Sequence, residues 1–434
     1  MEIKGKKIAY ITLGCKLNFS ETSTIRRSLE AEGTISVAPE EEADIYVVNT
    51  CSVTDTAEKK CRQTIRKIAK RHPESRILIV GCYAQLRAKE LMKLEGVAAV
   101  LGTSEKFNIA SRLKDLDKNE RCAACGCDIF SLEKFDLACS YGDRTRSFVK
   151  IQDGCDYFCS YCTIPYARGK SRSASIAEIL NAVKRLSEKG IKEIILTGVN
   201  TGDFGNKNES FLDLLKILED TAYVERFRIS SIEPNLLTDE IIGFVSASEH
   251  FMPHFHIPLQ AGNDEVLKLM KRRYERRVFE EKVLKIRSLI PDAFIGVDMI
   301  AGMRGETGAR FEDGYRFIEN LPVSQLHVFP YSERAGTKAI DIPCAVEDAE
   351  KKRRVEYLLE LSERKKDAFY AKYRGDIRPV LFESSETNGE IFGFTDNYIR
   401  VASAFNPACI NRICRVKLGE TDKNGNMKSL ELCL

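Results

Sequence analysis

The stretch Gly154-Cys155-Asp156-Tyr157-Phe158-Cys159-Ser160-Tyr161-Cys162 places three residues between its first two cysteines and two between its last two. It follows Phe148-Val149-Lys150-Ile151, an apolar run that reads as a buried strand. Iron–sulfur cubanes are usually held by four thiolates, one per iron. Three cysteines alone leave one iron without a protein ligand, open to bind and activate a small molecule. Zinc would want a fourth Cys or His nearby, and no cysteine follows until Cys344. Chance clustering is the other reading in a chain with 15 cysteines among 434 residues. The surroundings of the loop weigh against it.

Downstream the strand–helix rhythm continues. Apolar runs at 193–198, 228–233, 254–259, 294–300 and 325–329 alternate with helical patterns such as 175–188 and 263–273, before a long one at 347–371. With 148–151 they make six strands, which predict a partial (β/α) barrel with its site at the C-terminal strand ends. The cysteine loop follows the first strand and so falls at that mouth. Upstream, strands at 8–13, 43–48 and 76–80 alternate with helices at 20–31 and 56–70, the pattern of a parallel sheet with covering helices. Each of these strands runs into a cysteine: Leu13-Gly14-Cys15, Asn49-Thr50-Cys51 and Gly81-Cys82. One such cysteine would read as a small core hydrophobe. Three at equivalent strand ends, where open parallel sheets bind ligands, predict a second three-thiolate cluster.

Residues 111–145 break the rhythm and read as a connector, with Cys122, Cys125, Cys127 and Cys139 in no strong metal-site spacing. After about residue 376, short β runs separated by turn residues predict a small all-β barrel. From residue 371 onward nine Lys/Arg face eight Asp/Glu, so the barrel is not strongly basic. The chain is 43% hydrophobic and 30% charged, with a net charge of +3, too small to declare a nucleic-acid binder. The basic runs Lys59 to Arg71 and Lys271-Arg272-Arg273 read first as solvated helix faces. No apolar run long enough to span a membrane and no signal-peptide core is found. A cytoplasmic location is expected, where reduced thiols serve as metal ligands.

Cys155-x3-Cys159-x2-Cys162, with Tyr161 before the last cysteine, resembles the signature of radical S-adenosylmethionine (SAM) enzymes. Over nearly its whole length the chain resembles one branch, the methylthiotransferases. The matching segments include Thr12 to Asn18, Asn49 to Thr54, Val80 to Cys82, Pro165 to Ser173, Ser230 to Pro234 and His327 to Ser332. The resemblance implies an α/β chain of four parts. These are a flavodoxin-like N-terminal domain at 1–112, a linker at 113–145, a partial (β/α)6 radical-SAM barrel at 146–373 and a small all-β TRAM barrel at 374–434. It implies two 4Fe–4S clusters, one on Cys155, Cys159 and Cys162, the other, auxiliary, on Cys15, Cys51 and Cys82. SAM would serve both as methyl donor and as radical source.

The opening Thr12-Leu13-Gly14-Cys15-Lys16-Leu17-Asn18 most resembles the type (MtaB) acting on N6-threonylcarbamoyladenosine in tRNA, to which it adds a 2-methylthio group. The types acting on isopentenyl-adenosine in tRNA or on an aspartate of a ribosomal protein are the alternatives. The implied partners are a tRNA anticodon stem-loop, a flavodoxin- or ferredoxin-type reductant and a sulfur source; the chain would act as a monomer, with no membrane. A single-stranded loop presents bases that can be unstacked into a pocket. Candidates to bind SAM are Tyr161, Thr197, Gly198, Asn200, Ser231, Glu233, Gln260, Asp298 and Phe329. Two segments depart from the family pattern. Gln260-Ala261-Gly262 lacks a usual serine, and Gly302-Met303-Arg304-Gly305-Glu306 replaces a Phe-Pro pair, with Arg304 a candidate partner for the substrate carboxylate.

Overall fold

Six strands of the computed structural model lie side by side, all parallel, in the order β2-β1-β3-β4-β5-β6. They are β1 (Lys7–Thr12), β2 (Ile35–Val37), β3 (Ile45–Thr50), β4 (Arg76–Gly81), β5 (Val97–Leu101) and β6 (Cys122–Ala124). The structure describes residues 2–115, 121–124, 128–142, 145–205 and 208–433; Cys125 and Cys127 lie outside them. The chain divides into two units. The first comprises Met1–Tyr141, Phe148–Ala174 and Ser332–Ile340, the second Gly142–Ser147, Ser175–Tyr331 and Asp341–Leu434.

In the first unit both faces of the sheet are covered, so its strands read as continuous apolar runs. Tyr46, Val48, Ile77 and Ile79 pack with Ile65 and Ile68 of α2 (Asp55–Arg71). Ile45, Val47, Leu78 and Val80 pack with Ile25 and Leu29 of α1 (Lys16–Ala31) and with Ile109 and Leu113 of α4 (Ile109–Asp115). Helix α1 starts at Lys16 rather than near residue 20, because its first turns bury Asn18, Ser20, Glu21, Thr22 and Ser23. That polar stripe hides the helical period from a hydrophobicity reading. Helix α3 (Cys82–Leu91) starts at its cysteine. The expected connector holds β6 and β7 (Ala138–Cys139), the latter antiparallel to β8 (Ser147–Lys150). Beyond β8, a two-residue ribbon of β9 (Gln152–Asp153) and β10 (Arg172–Ser173) closes the base of a loop containing α5 (Ile164–Arg168).

In the second unit β11 (Glu193–Thr197) pairs in parallel with β12 (Arg226–Ile229). Parallel pairs also join β13 (His254–Gln260), β14 (Phe294–Ala301) and β15 (Gln325–Pro330). Parallel bridges Phe227–Phe251 and Ser231–His256 link the two sets. Crossover helices include α6 (Ile176–Glu188), whose Ser175 and Glu178 form a reciprocal capping box. After the 24-residue helix α7 (Asp348–Ala371) the last five strands close into a barrel, β16-β17-β18-β20-β19. They are β16 (Ile377–Thr387), β17 (Glu390–Thr395), β18 (Arg400–Ala404), β19 (Ile413–Thr421) and β20 (Met427–Cys433). The expected α/β class, with a flavodoxin-like sheet and a small C-terminal β-barrel, is borne out. Among the described residues no helix is long and apolar enough to cross a membrane.

Candidate active site

Between β1 and β3 the winding of the first sheet reverses, and open parallel sheets bind ligands outside the strand ends at such a switch point. Cys15 follows β1, Cys51 follows β3 and Cys82 follows β4. Gly14, at φ +114°, lets the first two loops touch: a Cβ there would stand 2.8 Å from Cβ of Cys51. The buried Asn18 sets their spacing. Its Nδ2 donates to the carbonyls of Leu13 and Thr50, each at 3.0 Å, and its Oδ1 accepts from Sγ of Cys15 at 3.6 Å. Thr50 Oγ1 in turn donates to the Val80 carbonyl at 2.6 Å, which ties in the third strand end.

Burial pushes the Cys51 thiol up to about 12, and the neighbouring sulfurs of Cys82 and Cys15 push the same way. Burial also raises Cys82, against the pull of Arg168. Cys51 and Cys82, disfavoured as bare thiolates by burial and by neighbouring sulfur, suit a site where bound iron supplies the positive charge. The donor set therefore fits an iron–sulfur cluster. Cys61 of α2 is fully buried and donates to the Cys51 carbonyl at 3.6 Å.

The second triad lies in the loop beyond β9. Gly154, at φ +74°, is required there, since a Cβ would fall 1.9 Å from the Lys170 carbonyl oxygen. The Cys155 N–H donates to the Gly169 carbonyl and the Cys162 N–H to that of Cys159, both at 3.0 Å. The Ile164 N–H points at Sγ of Cys162, at 3.5 Å. Cys159 is buried, and Cys155 and Cys162 are half-buried.

Two features of the first unit escaped the sequence reading. Arg168, two per cent exposed, joins Glu21 and Asp153 and donates to Asn18 Oδ1 at 2.8 Å. The Ser332–Ile340 segment reaches residues next to both triads. Its Arg334 donates to Glu58 and to Ser52, the residue after Cys51, and its Ala339 N–H donates to the carbonyl of Ser160, the residue after Cys159. The quoted Pro165 to Ser173 run did contain Arg168, but nothing in a sequence distinguishes a buried arginine from a surface one.

Tyr161 belongs to the first unit; the other residues proposed to bind SAM belong to the second. Asn200 Oδ1 accepts the Glu233 N–H at 3.4 Å, and Thr201 Oγ1 donates to the Ser231 carbonyl at 2.7 Å, interlocking the loops after β11 and β12. Thr197 ends β11, and Glu233 is held by Arg272. Gln260 ends β13 in a left-handed conformation, φ +70°. Asp298 lies inside β14 rather than beyond it, because that strand runs on to Ala301. Its Oδ1 is 2.6 Å from His256 Nε2 and 3.1 Å from His327 Nδ1, two histidines the sequence reading passed over. Phe329, inside β15, is exposed. Arg304 donates to the Ile342 carbonyl at 3.1 Å, while Glu306 accepts the Gly302 N–H at 2.6 Å and pairs with Arg354 at 2.8 Å.

Residues 7–102 match a family described as uncharacterized protein family UPF0004, and residues 149–318 match the radical SAM superfamily. The chain is 36% identical to threonylcarbamoyladenosine tRNA methylthiotransferase MtaB of Bacillus subtilis, over 95% of this chain and 93% of that one. The Aquifex aeolicus protein of the same name is also 36% identical, over 91% and 96%. A tRNA-2-methylthio-N(6)-dimethylallyladenosine synthase of Trichlorobacter lovleyi is 32% identical, over 98% and 99%. Among solved structures, the radical SAM methyltransferase TsrM of Kitasatospora setae superposes with a TM-score of 0.58 at 13% identity, covering 75% of this chain and 73% of that one, a likeness of fold.

Proposed function

The chain belongs to the radical SAM tRNA methylthiotransferases, and from that premise we propose that it adds a 2-methylthio group to N6-threonylcarbamoyladenosine next to the anticodon. The observation that carries the reading is the set of three cysteine-bearing strand ends at and beside the switch point of the first sheet, in addition to the radical SAM triad. The relatives named for threonylcarbamoyladenosine, 36% identical over more than nine-tenths of the chain, support the substrate.

In this reading Cys155, Cys159 and Cys162 hold the SAM-binding 4Fe–4S cluster, and Cys15, Cys51 and Cys82 hold a second one. Bound SAM and its cluster supply a radical able to take hydrogen from an unactivated C–H bond, and the second cluster supplies a place for sulfur. The chain's part is to bind and orient. Thr197, Gly198, Asn200, Ser231, Glu233, Gln260, Asp298 and Phe329, with Tyr161, would hold SAM. The interlocked loops after β11 and β12 fix the first five of these relative to one another. Residues 1–112, 146–373 and 374–434 act as auxiliary-cluster, radical and TRAM domains joined by a linker at 113–145. The tRNA anticodon stem-loop, a flavodoxin- or ferredoxin-type reductant, a sulfur source, monomeric action and a cytoplasmic site complete the reading.

The test is mass spectrometry of tRNA nucleosides from a strain lacking this gene, with and without the gene restored. Restoration should return 2-methylthio-threonylcarbamoyladenosine. Return of the isopentenyl-adenosine product, or of a ribosomal-protein methylthio mark instead, would overturn the substrate. Anaerobic reconstitution should give about eight irons per chain, four per cluster, and Cys15→Ala about four.

A further inference from the structure

Five charged side chains of the first unit, each two per cent exposed or less, form one cluster: Glu21, Lys106, Lys150, Asp153 and Arg168. Lys106 Nζ lies 2.7 Å and Lys150 Nζ 3.2 Å from Glu21 Oε1, and Arg168 Nη1 lies 3.0 Å from that same oxygen. Arg168 Nη1 is also 2.9 Å from Asp153 Oδ1, and Lys150 is 3.3 Å from Asp153 Oδ2. Arg172, at the edge of the cluster, adds a fourth cation 3.3 Å from Asp153 Oδ2. Three buried cations thus face two carboxylates, and the excess is positive. Burial alone would raise Glu21 and Asp153, yet these cations hold both well below the usual carboxylate range. An uncompensated buried charge is costly.

Arg168 also connects to both triads, to one through a hydrogen bond and to the other through the adjoining chain. Its Nη2 donates to Asn18 Oδ1, and Asn18 is the amide that spaces the Cys15 and Cys51 loops. On its other side Arg168 ends α5, next to Gly169, whose carbonyl receives the Cys155 N–H.

We propose that Arg168 is a positioning residue for the Cys15 and Cys51 loops, and that the excess positive charge of its cluster is matched by an anionic iron–sulfur cluster on Cys15, Cys51 and Cys82. This rests on the two-cluster reading above. Net charge near a cluster is among the determinants of its reduction potential. Reduction adds an electron, so taking away a buried cation makes reduction harder.

The experiment isolates the auxiliary cluster in the full-length chain carrying Cys155→Ala, Cys159→Ala and Cys162→Ala. Iron content and the midpoint potential, from an EPR-monitored redox titration, are measured with and without further substitutions. Arg168→Gln should shift the midpoint to more negative potential, and Lys106→Met should shift it the same way. Arg168→Lys keeps the charge and should leave the midpoint near its starting value while lowering iron occupancy, since the amine cannot span Asn18, Glu21 and Asp153 together. If Arg168→Gln does not fold, Lys106→Met decides alone. Unchanged midpoints in the folded variants would overturn the proposal and leave the two-cluster reading standing. A parent triple variant that binds no iron would overturn both.

Discussion

Glu233 keeps its proton to unusually high pH. Burial pushes its pKa up to about 7, even against the attraction of Arg272. The folded protein therefore holds this proton between its unfolded value, 4.5, and about 7, where the unfolded chain has lost it. The sign follows from linkage: the native state binds more protons, so stability falls as pH rises through that window. Glu233→Gln carries no such proton. The melting temperature of the native chain, relative to that variant, should drop by a few degrees between pH 5 and pH 7. Parallel melting curves across that range would show that the burial is not felt. Asp298 is the counter-case, its half-buried carboxyl held well below the usual range by His256 and His327.

At the scale of elements, two arginines on β12 carry the C-terminal barrel. Arg228 donates to the carbonyls of Thr395 and Asp396, at 2.7 and 2.8 Å, and pairs with the fully buried Glu193 at 2.9 Å. Arg226 donates to those of Pro379 and Phe394, at 2.8 and 3.2 Å. Removing one partner from an isolated buried pair costs about 3–5 kcal/mol; here Arg146 at 3.7 Å and Arg226 at 3.8 Å still face Glu193, so the loss is smaller. Arg228→Met should lower the urea midpoint of the second unit, and adding Glu193→Gln should lower it further, since Arg226 and Arg146 then lose their carboxylate. Such ties explain which elements a sequence reveals. The runs ending at Cys15, Cys51 and Cys82 were legible because apolar strands and cysteines stand out in any composition. The strand β20 was not, because Lys428 and Glu431 interrupt it and it forms by closing against β18 and β19. The polar start of α1 was missed for the same reason as the charged cluster around Glu21. Burial of a polar group is decided by distant partners, such as Arg168 for Glu21, and leaves no local mark.

For the molecule as a whole, the C-terminal barrel is not an appendage. Its core residues Val380, Phe382, Ile391, Val401, Val416, Leu418 and Met427 share one cluster with Phe294 of β14 and with Phe369, Tyr370 and Tyr373 of the α7 region. A chain ending after residue 373 would expose those aromatics as a contiguous apolar face. Gel filtration of that truncated chain should show aggregation rather than a smaller monomer. The order in which the parts can form is set by the Ser332–Ile340 segment. The first unit is written in three pieces, and its last piece comes after the long stretch from Ser175 to Tyr331. At 5–20 residues per second a ribosome needs roughly 10–30 s to cross that stretch. Until then Arg334 cannot meet Glu58, and the residues beside Cys51 and Cys159 lack their final neighbours. The cysteine-bearing loops are thus translated long before the segment that finishes them.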